Sequence, residues 1–148
     1  PVVQLGLDTC DLMTETNEDF AKLESVGSPV TDFMIRMLKF RRERAVRPIT
    51  DEKGNVVGEL KQSDETPTHK DGIGLNDVAT TAYLINPNWF KTKPVTIDIE
   101  TTGLCPGQTV ADLKGLWGRK PNCLWAYDLD GEAAVAQWVK HMSEFRPQ

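Results

Sequence analysis

The sequence has no long apolar run, no excess of basic charge and nothing that resembles a secretory leader. No apolar stretch approaches the ~20 residues that a membrane helix needs, and the first residues lack the charged, apolar and small-residue regions of a signal peptide. Basic side chains number 17 and acidic ones 22, whereas a surface that binds nucleic-acid phosphates is usually basic. We therefore expect neither a membrane nor a polynucleotide as a partner.

Nucleophile motifs and disulfide patterns are also missing. The sequence has no GxSxG, no glycine-rich phosphate loop and no HExxH, so standard covalent catalysis is not indicated. The three cysteines, Cys10, Cys105 and Cys123, are odd in number and widely spaced, which favours a reducing, cytoplasmic location. Cys10 follows an apolar run and is expected to pack in the interior rather than to act as a nucleophile.

What the sequence contains is a pattern of strands and amphipathic helices. Its 148 residues, 39% of them hydrophobic, suit one globular domain, and the periodicities predict an α/β fold with several helices and short antiparallel strands. Helices are expected from Thr14 to Gly27, from Ser28 to Ala45, from Asp77 to the Asn86-Pro87 pair, and after Asp130. Strands are expected at residues 1–7, 95–100, 109–113 and 123–129, with an irregular segment at residues 48–74.

The first strand lies at the start of the sequence, where a buried strand lacks a preceding neighbour. Two explanations remain open for Pro1: the chain is a piece of a larger protein, or an initiator methionine has been removed.

Several charged residues have both a structural and a functional interpretation. The second helix carries a basic cluster from Arg36 to Arg47, which suits either a solvated helix end or a patch that contacts an anion or an acidic partner. His141 is expected at the surface. His69 lies in a polar loop that would bring its imidazole towards Asn76 and Asp77, or leave it in solvent. From spacing alone, Asp77 is best explained as a helix N-terminal charge.

Several segments, taken in order, resemble the C-terminal half of the inosine-uridine nucleoside hydrolases, the nucleoside N-ribohydrolases. The resemblance covers nearly the whole chain and rests on VQLGLDT at residues 3–9, LNDVA at 75–79 with AYLINP at 82–87, VTIDIETTG at 95–103, GQTVAD at 107–112 and KPN at 120–122. It implies a Rossmann-like open sheet that begins in another half, with residues 1–148 as the C-terminal half of the domain.

The resemblance also implies an activity and a cofactor. Members of the family hydrolyse the N-glycosidic bond of ribonucleosides to ribose and free base, with a calcium ion that holds the ribose diol and a water. Asp77 matches the metal-binding aspartate of the family. The general base and the other metal aspartates belong to an N-terminal DxDxxxDD cluster, which this sequence lacks. A companion half or subunit, in a homo- or hetero-oligomer, is therefore expected to complete the site.

Asn76 stands where the family often has a histidine or a tryptophan. Asparagine cannot protonate a leaving base at neutral pH, although it can hydrogen-bond a base or a ribose hydroxyl. His69 is a candidate for the missing catalytic role, and Arg41 and Arg44 are candidates for substrate binding together with Asn76. Two rivals remain open: a non-catalytic nucleoside hydrolase-like subunit, and an interaction domain whose basic helix docks on an acidic partner.

Overall fold

The computed structural model describes residues 2–43, 46–61 and 72–146. In chain order its elements are β1 (Val3–Leu5), α1 (Leu7–Cys10), β2 (Thr14–Glu15), α2 (Asn17–Val26), α3 (Pro29–Glu43), β3 (Val46–Thr50), β4 (Val56–Lys61), β5 (Ile73–Gly74), α4 (Asn76–Ile85), a 3-10 turn (Pro87–Trp89), β6 (Phe90–Ile99), β7 (Thr109–Asp112), β8 (Cys123–Leu129) and α5 (Gly131–Glu144). Within these ranges no helix combines the length and apolarity needed to cross a membrane.

A four-stranded open sheet forms one layer of the fold, with strand order β1-β8-β6-β7. β1 runs parallel to β8, pairing Val3 with Leu124 and Leu5 with Ala126. β6 is antiparallel to both β7 and β8, as expected for strands joined by short connections. The mixed sheet with its helices confirms the predicted α/β class and the predicted antiparallel strands.

The hydrophobic core lies between this sheet and the helices. Each of α2 to α5 contributes to it, as does β8. Its most deeply buried members include Met13, Leu23, Ala79 and Ala126, none of which exposes any measurable surface. Burying one leucine side chain stabilises the fold by about 1.5–3 kcal/mol, so the core makes a large contribution to holding the helices on the sheet.

The helix boundaries follow from local capping. At the start of α2, Thr16 and Asp19 each bond the other's backbone N–H, at 3.2 and 3.0 Å, which makes a capping box. Gly27 ends that helix at φ 60°, a left-handed conformation that glycine adopts without strain. Ser28 and Thr31 cap α3 in the same reciprocal way, at 3.2 and 3.0 Å.

Four sequence predictions differ from the structure. The first strand is shorter than residues 1–7, because Leu7 already begins α1 and is 71% exposed. The first predicted helix begins at Asn17, after its cap Thr16, rather than at Thr14. β6 starts at Phe90 rather than at residue 95, and its pairing with β8 continues through Pro94 opposite Leu124.

The fourth difference concerns the segment predicted to be irregular, residues 48–74. β3 and β4 form an antiparallel hairpin there, and Ile73–Gly74 form β5, so the prediction is wrong for residues 48–61 and 73–74. The two strands are joined by a turn in which the Asp51 side chain accepts the backbone N–H groups of Lys53 and Asn55 at 2.9 and 2.8 Å. Residues 62–71 lie outside the described part of the chain.

Candidate functional site

The candidate site is the N-terminus of α4, where Asn76 and Asp77 occupy the first two helical positions. The preceding residue, Leu75, is buried and donates its backbone N–H to the Met13 carbonyl at 2.7 Å. Just before it, β5 pairs with β2. Backbone contacts to residues 13–15 therefore hold the chain that enters α4, and they fix the backbone that carries the Asn76 and Asp77 side chains.

Asp77 is exposed, so its carboxylate is open to solvent at the end of the helix. Its backbone carbonyl accepts a hydrogen bond from the Thr80 hydroxyl at 2.7 Å. This contact lies within the first helical turn and does not involve the Asp77 carboxylate. A carboxylate here is stabilised by the helix dipole by about 0.3–1 kcal/mol. The position suits both a helix-end charge and a ligand to a cation.

Asn76 is half-buried, and its side-chain oxygen Oδ1 is buried with no hydrogen-bond partner among the described residues. Leaving a buried acceptor unpaired costs about 1–3 kcal/mol. The amide oxygen is therefore free to accept a hydrogen bond from a bound molecule or to contact a cation, next to the Asp77 carboxylate.

Helix α1, with Asp8 in it and Asp11 directly after it, lies close to α4. It follows β1 directly, packs against α4, and is fixed to β8 by Thr9, whose buried hydroxyl donates to the Ala126 carbonyl at 3.0 Å. Burial raises the pKa of the Cys10 thiol, and the charges of Asp11, Asp8 and Asp77 raise it further. The thiol therefore stays protonated and packed in the core, which confirms the structural role predicted for Cys10.

The fit to calcium is partial. Calcium takes six to eight oxygen ligands, and the carboxylate of Asp77 and the amide oxygen of Asn76 are donors of the right chemical kind. Within the described ranges, however, no group of three or more His, Cys, Asp or Glu side chains is arranged to hold a metal ion. These residues can contribute to a calcium site without completing one.

Of the other predicted site residues, Arg41 lies within the described part of the chain. His69 and Arg44 lie outside the described residues. Arg41 is exposed in the last turn of α3, a helix that contacts β5 just before the site. His141 is exposed on α5, as expected.

One member of the basic cluster is turned inward, against both interpretations of that cluster. Arg42 forms an ion pair at 2.9 Å with Glu15, whose side chain is fully buried. No local sequence signal identifies this pair, because its members are 27 residues apart. Lys39 behaves as predicted for a solvated helix end, pairing with Glu24 at 2.8 Å while both side chains stay about half exposed.

A separate open cleft of about 460 Å³ is lined by residues of β6, β7 and the following loop. Its charged groups are already engaged: Arg119 bonds Asp98 at 2.9 Å and stacks on Trp117, while Glu100 accepts the Thr102 and Gly103 N–H groups. Asn76 and Asp77 do not line it. The α4 terminus remains the stronger candidate site.

Comparison with known proteins identifies the wider group to which these elements belong. Residues 1–136 match the family model described as inosine-uridine preferring nucleoside hydrolase. The chain is 32% identical over 136 residues to the pyrimidine-specific ribonucleoside hydrolase RihA of Escherichia coli O1:K1 / APEC, covering 91% of this chain and 38% of that protein. It is 26% identical over 146 residues to the RihA of Enterobacter sp. (strain 638), covering 98% and 41%.

Solved structures show the same fold. The purine-preferring ribonucleoside hydrolase from Gardnerella vaginalis superposes with a TM-score of 0.72 at 19% identity, covering 97% of this chain and 40% of that one. A plant nucleoside hydrolase, the PpNRh1 enzyme, gives 0.72 at 16% identity, covering 95% and 41%. The chain thus spans about two fifths of the length of the relatives it matches. It belongs to the inosine-uridine preferring nucleoside hydrolase family.

Proposed function

We propose that this chain acts as the C-terminal part of a calcium-dependent nucleoside hydrolase, which cleaves the N-glycosidic bond of a ribonucleoside to give ribose and free base. The observation that carries the proposal is the pair at the start of α4: an open carboxylate on Asp77 beside the buried, unpartnered amide oxygen of Asn76. Membership of the family supports it, as do relatives named for ribonucleoside hydrolysis.

In this proposal Asp77 contributes a carboxylate ligand to calcium. The ion, when bound, supplies charge that lowers the pKa of a water molecule and orients it. Because one or two oxygen donors fall short of six to eight, further ligands and the general base come from aspartates outside these 148 residues. They lie in the same polypeptide or in a companion subunit of a homo- or hetero-oligomer, and a cytoplasmic location goes with this proposal.

Asn76 holds the substrate rather than protonating it. Its amide oxygen accepts a hydrogen bond from a ribose hydroxyl or a base N–H, and its amide group has no proton to give at neutral pH. Departure of the base then depends on another group. His69, Arg41 and Arg44 are the candidates on this chain, with His69 as the proton donor and the arginines as contacts to the base.

The second candidate function is a non-catalytic one, in which the chain binds a nucleoside or supports an active homologue. Asn76 favours it, because a site without a general acid loses a contribution that is typically 10²–10⁴-fold in rate. Binding without base release would identify this alternative.

The test is nucleoside hydrolysis by the assembled enzyme, meaning this chain together with the aspartate-bearing region, in one polypeptide or as a complex. Free base released from inosine and from uridine is measured with calcium and with a chelator. We expect Asp77→Asn to lower kcat/KM by at least about 100-fold, because even residues that only support metal ligands are worth 10–100-fold.

Glu132→Gln is the matched control, since Glu132 is an exposed acidic residue in the first turn of α5. Both substitutions remove a charge that interacts favourably with a helix dipole, which is worth about 0.3–1 kcal/mol, so a pure stability effect appears in both. Hydrolysis that is indifferent to chelation and to Asp77→Asn contradicts the calcium proposal.

A further inference from the structure

Arg42 and Glu15 form a buried ion pair that joins the end of α3 to β2. Arg42 Nη2 donates to both carboxylate oxygens of Glu15, at 3.1 and 2.9 Å. Its Nη1 donates to the Asn17 side-chain oxygen at 2.8 Å, and the guanidinium lies 4.5 Å from the centre of the Phe20 ring. The Glu15 side chain is 0% exposed and that of Arg42 is 30% exposed, so the pair has a single defined geometry.

Such a pair is a poor device for stability. Removing a charge such as the Glu15 carboxylate from water costs several kcal/mol, and apolar residues of similar volume often stabilise a protein as well or better. Burial raises the pKa of the Glu15 carboxyl even though the Arg42 contacts lower it, so the ion pair does not fully offset the desolvation. In addition, Arg42 Nε is buried without a partner in the described part of the chain. The arrangement therefore calls for an explanation other than stability.

The backbone of Glu15 lies directly beside the segment that leads into the candidate site. Glu15 is paired with Ile73 in the β2–β5 ladder. Gly72 approaches it so closely that a Cβ there would overlap the Glu15 carbonyl oxygen. Two residues earlier than Glu15, the Met13 carbonyl accepts the N–H of Leu75, the residue that precedes Asn76.

We infer that Glu15 and Arg42 are positioning residues, whose ion pair fixes β2 against α3 and thereby sets the position of the α4 N-terminus with Asn76 and Asp77. The ion pair requires one orientation of the Glu15 backbone, whereas apolar side chains would tolerate several. The inference rests on the proposed function only for what the positioned residues do. The mechanical link itself is independent of any substrate.

The experiment measures amide hydrogen exchange in the protein at two single hydrogen bonds. The reporter is the Leu75 N–H, bonded to the Met13 carbonyl at 2.7 Å, and the internal reference is the Asp130 N–H, bonded to the Trp89 carbonyl at 2.8 Å. The variants are Glu15→Gln, which keeps the shape of the side chain, and the double change Glu15→Leu with Arg42→Met, which replaces the pair by apolar groups. Global stability is followed by denaturant unfolding.

For both variants we expect the Leu75 exchange rate, relative to that of Asp130, to rise at least tenfold. The double variant should keep or gain global stability, which separates local loosening from general destabilisation. The matched control is Glu24→Gln, which removes the exposed ion pair between Glu24 of α2 and Lys39 of α3 and should leave the ratio unchanged.

An unchanged ratio in Glu15→Gln and in the double variant overturns the inference, as does an equal rise in Glu24→Gln. If the double variant does not fold, the ratio in Glu15→Gln decides alone. In the assembled enzyme, Glu15→Gln should lower kcat with little change in KM, relative to Glu24→Gln. If Leu75 exchange rises in the variants but the assembled enzyme does not hydrolyse nucleosides, the proposed function is refuted and the positioning role stands. If the assembled enzyme hydrolyses nucleosides but the exchange ratio is unchanged in the variants, the positioning role is refuted and the proposed function stands.

Discussion

Replacing Thr9 by valine tests how much the buried hydrogen bond between α1 and β8 contributes to the stability of the fold. The Thr9 hydroxyl is buried and donates to the Ala126 carbonyl at 3.0 Å, across 117 residues of sequence. It is the side-chain hydrogen bond that joins α1 to β8. Valine has nearly the same shape, so the substitution removes the donor without opening a cavity.

The expected cost is about 1–3 kcal/mol, because the Ala126 carbonyl loses a partner inside the protein. For a protein of this size, each kcal/mol lowers the Tm by about 2–4 °C. Thr9→Ser is the control: it keeps the hydroxyl and removes one methyl group, at about 0.8 kcal/mol.

Urea unfolding of the three proteins gives the free energies of unfolding, provided that the m-values agree. The valine variant should be the least stable of the three. The reasoning is refuted if Thr9→Val stays within about 0.5 kcal/mol of the original protein, the usual range of a neutral change, or if Thr9→Ser costs more than Thr9→Val.

Two further predictions concern the core and the loops. Leu23→Ala should lower the free energy of unfolding by about 2–5 kcal/mol, because Leu23 is 0% exposed in the core; a loss below about 1 kcal/mol in urea unfolding would contradict that packing. Backbone N–H groups of Trp117 and Leu116 hold the pKa of Asp112 below its ordinary value of 3.8, so its stabilising effect is present above that pH and is lost as the pH falls through the lowered pKa. Thermal unfolding between pH 2 and 5 should therefore show a smaller fall of Tm with falling pH in Asp112→Asn than in the original protein. An equal fall of Tm in both proteins would refute the role of this carboxylate.

Local signals predicted the elements whose ends are set by neighbouring residues. β8 has the predicted bounds, and α4 ends before Pro87 as expected. Two strands that were missed or cut short contain a proline, with Pro48 in β3 and Pro94 in β6. A strand accepts proline where the missing N–H is not needed for pairing, and that depends on a partner strand the sequence does not reveal.

For the candidate site too, the local features were predictable from the sequence and the long-range contacts were not. Asn76 and Asp77 were placed at a helix start from a short pattern, and the structure puts them there. The side-chain contacts of the neighbouring elements, from Thr9 to Ala126 and from Arg42 to Glu15, join residues 117 and 27 positions apart. The residues around Thr9 and Glu15 do not indicate which distant strand or helix carries the partner, so these contacts are visible only in the three-dimensional structure.

The pairing of β1 with β8 also sets an order of events during synthesis. Residues 3–5 find their strand partner only at residues 124–126, and contacts of such long sequence separation form slowly because a large loop must close first. During synthesis, β1 cannot pair with β8 until residues 124–126 have been made, and α1 gains its hydrogen bond from Thr9 to Ala126 at the same stage. A nonsense mutation or premature termination before β8 would therefore leave α1 without its hydrogen bond to Ala126, although the codons of α1 itself are intact.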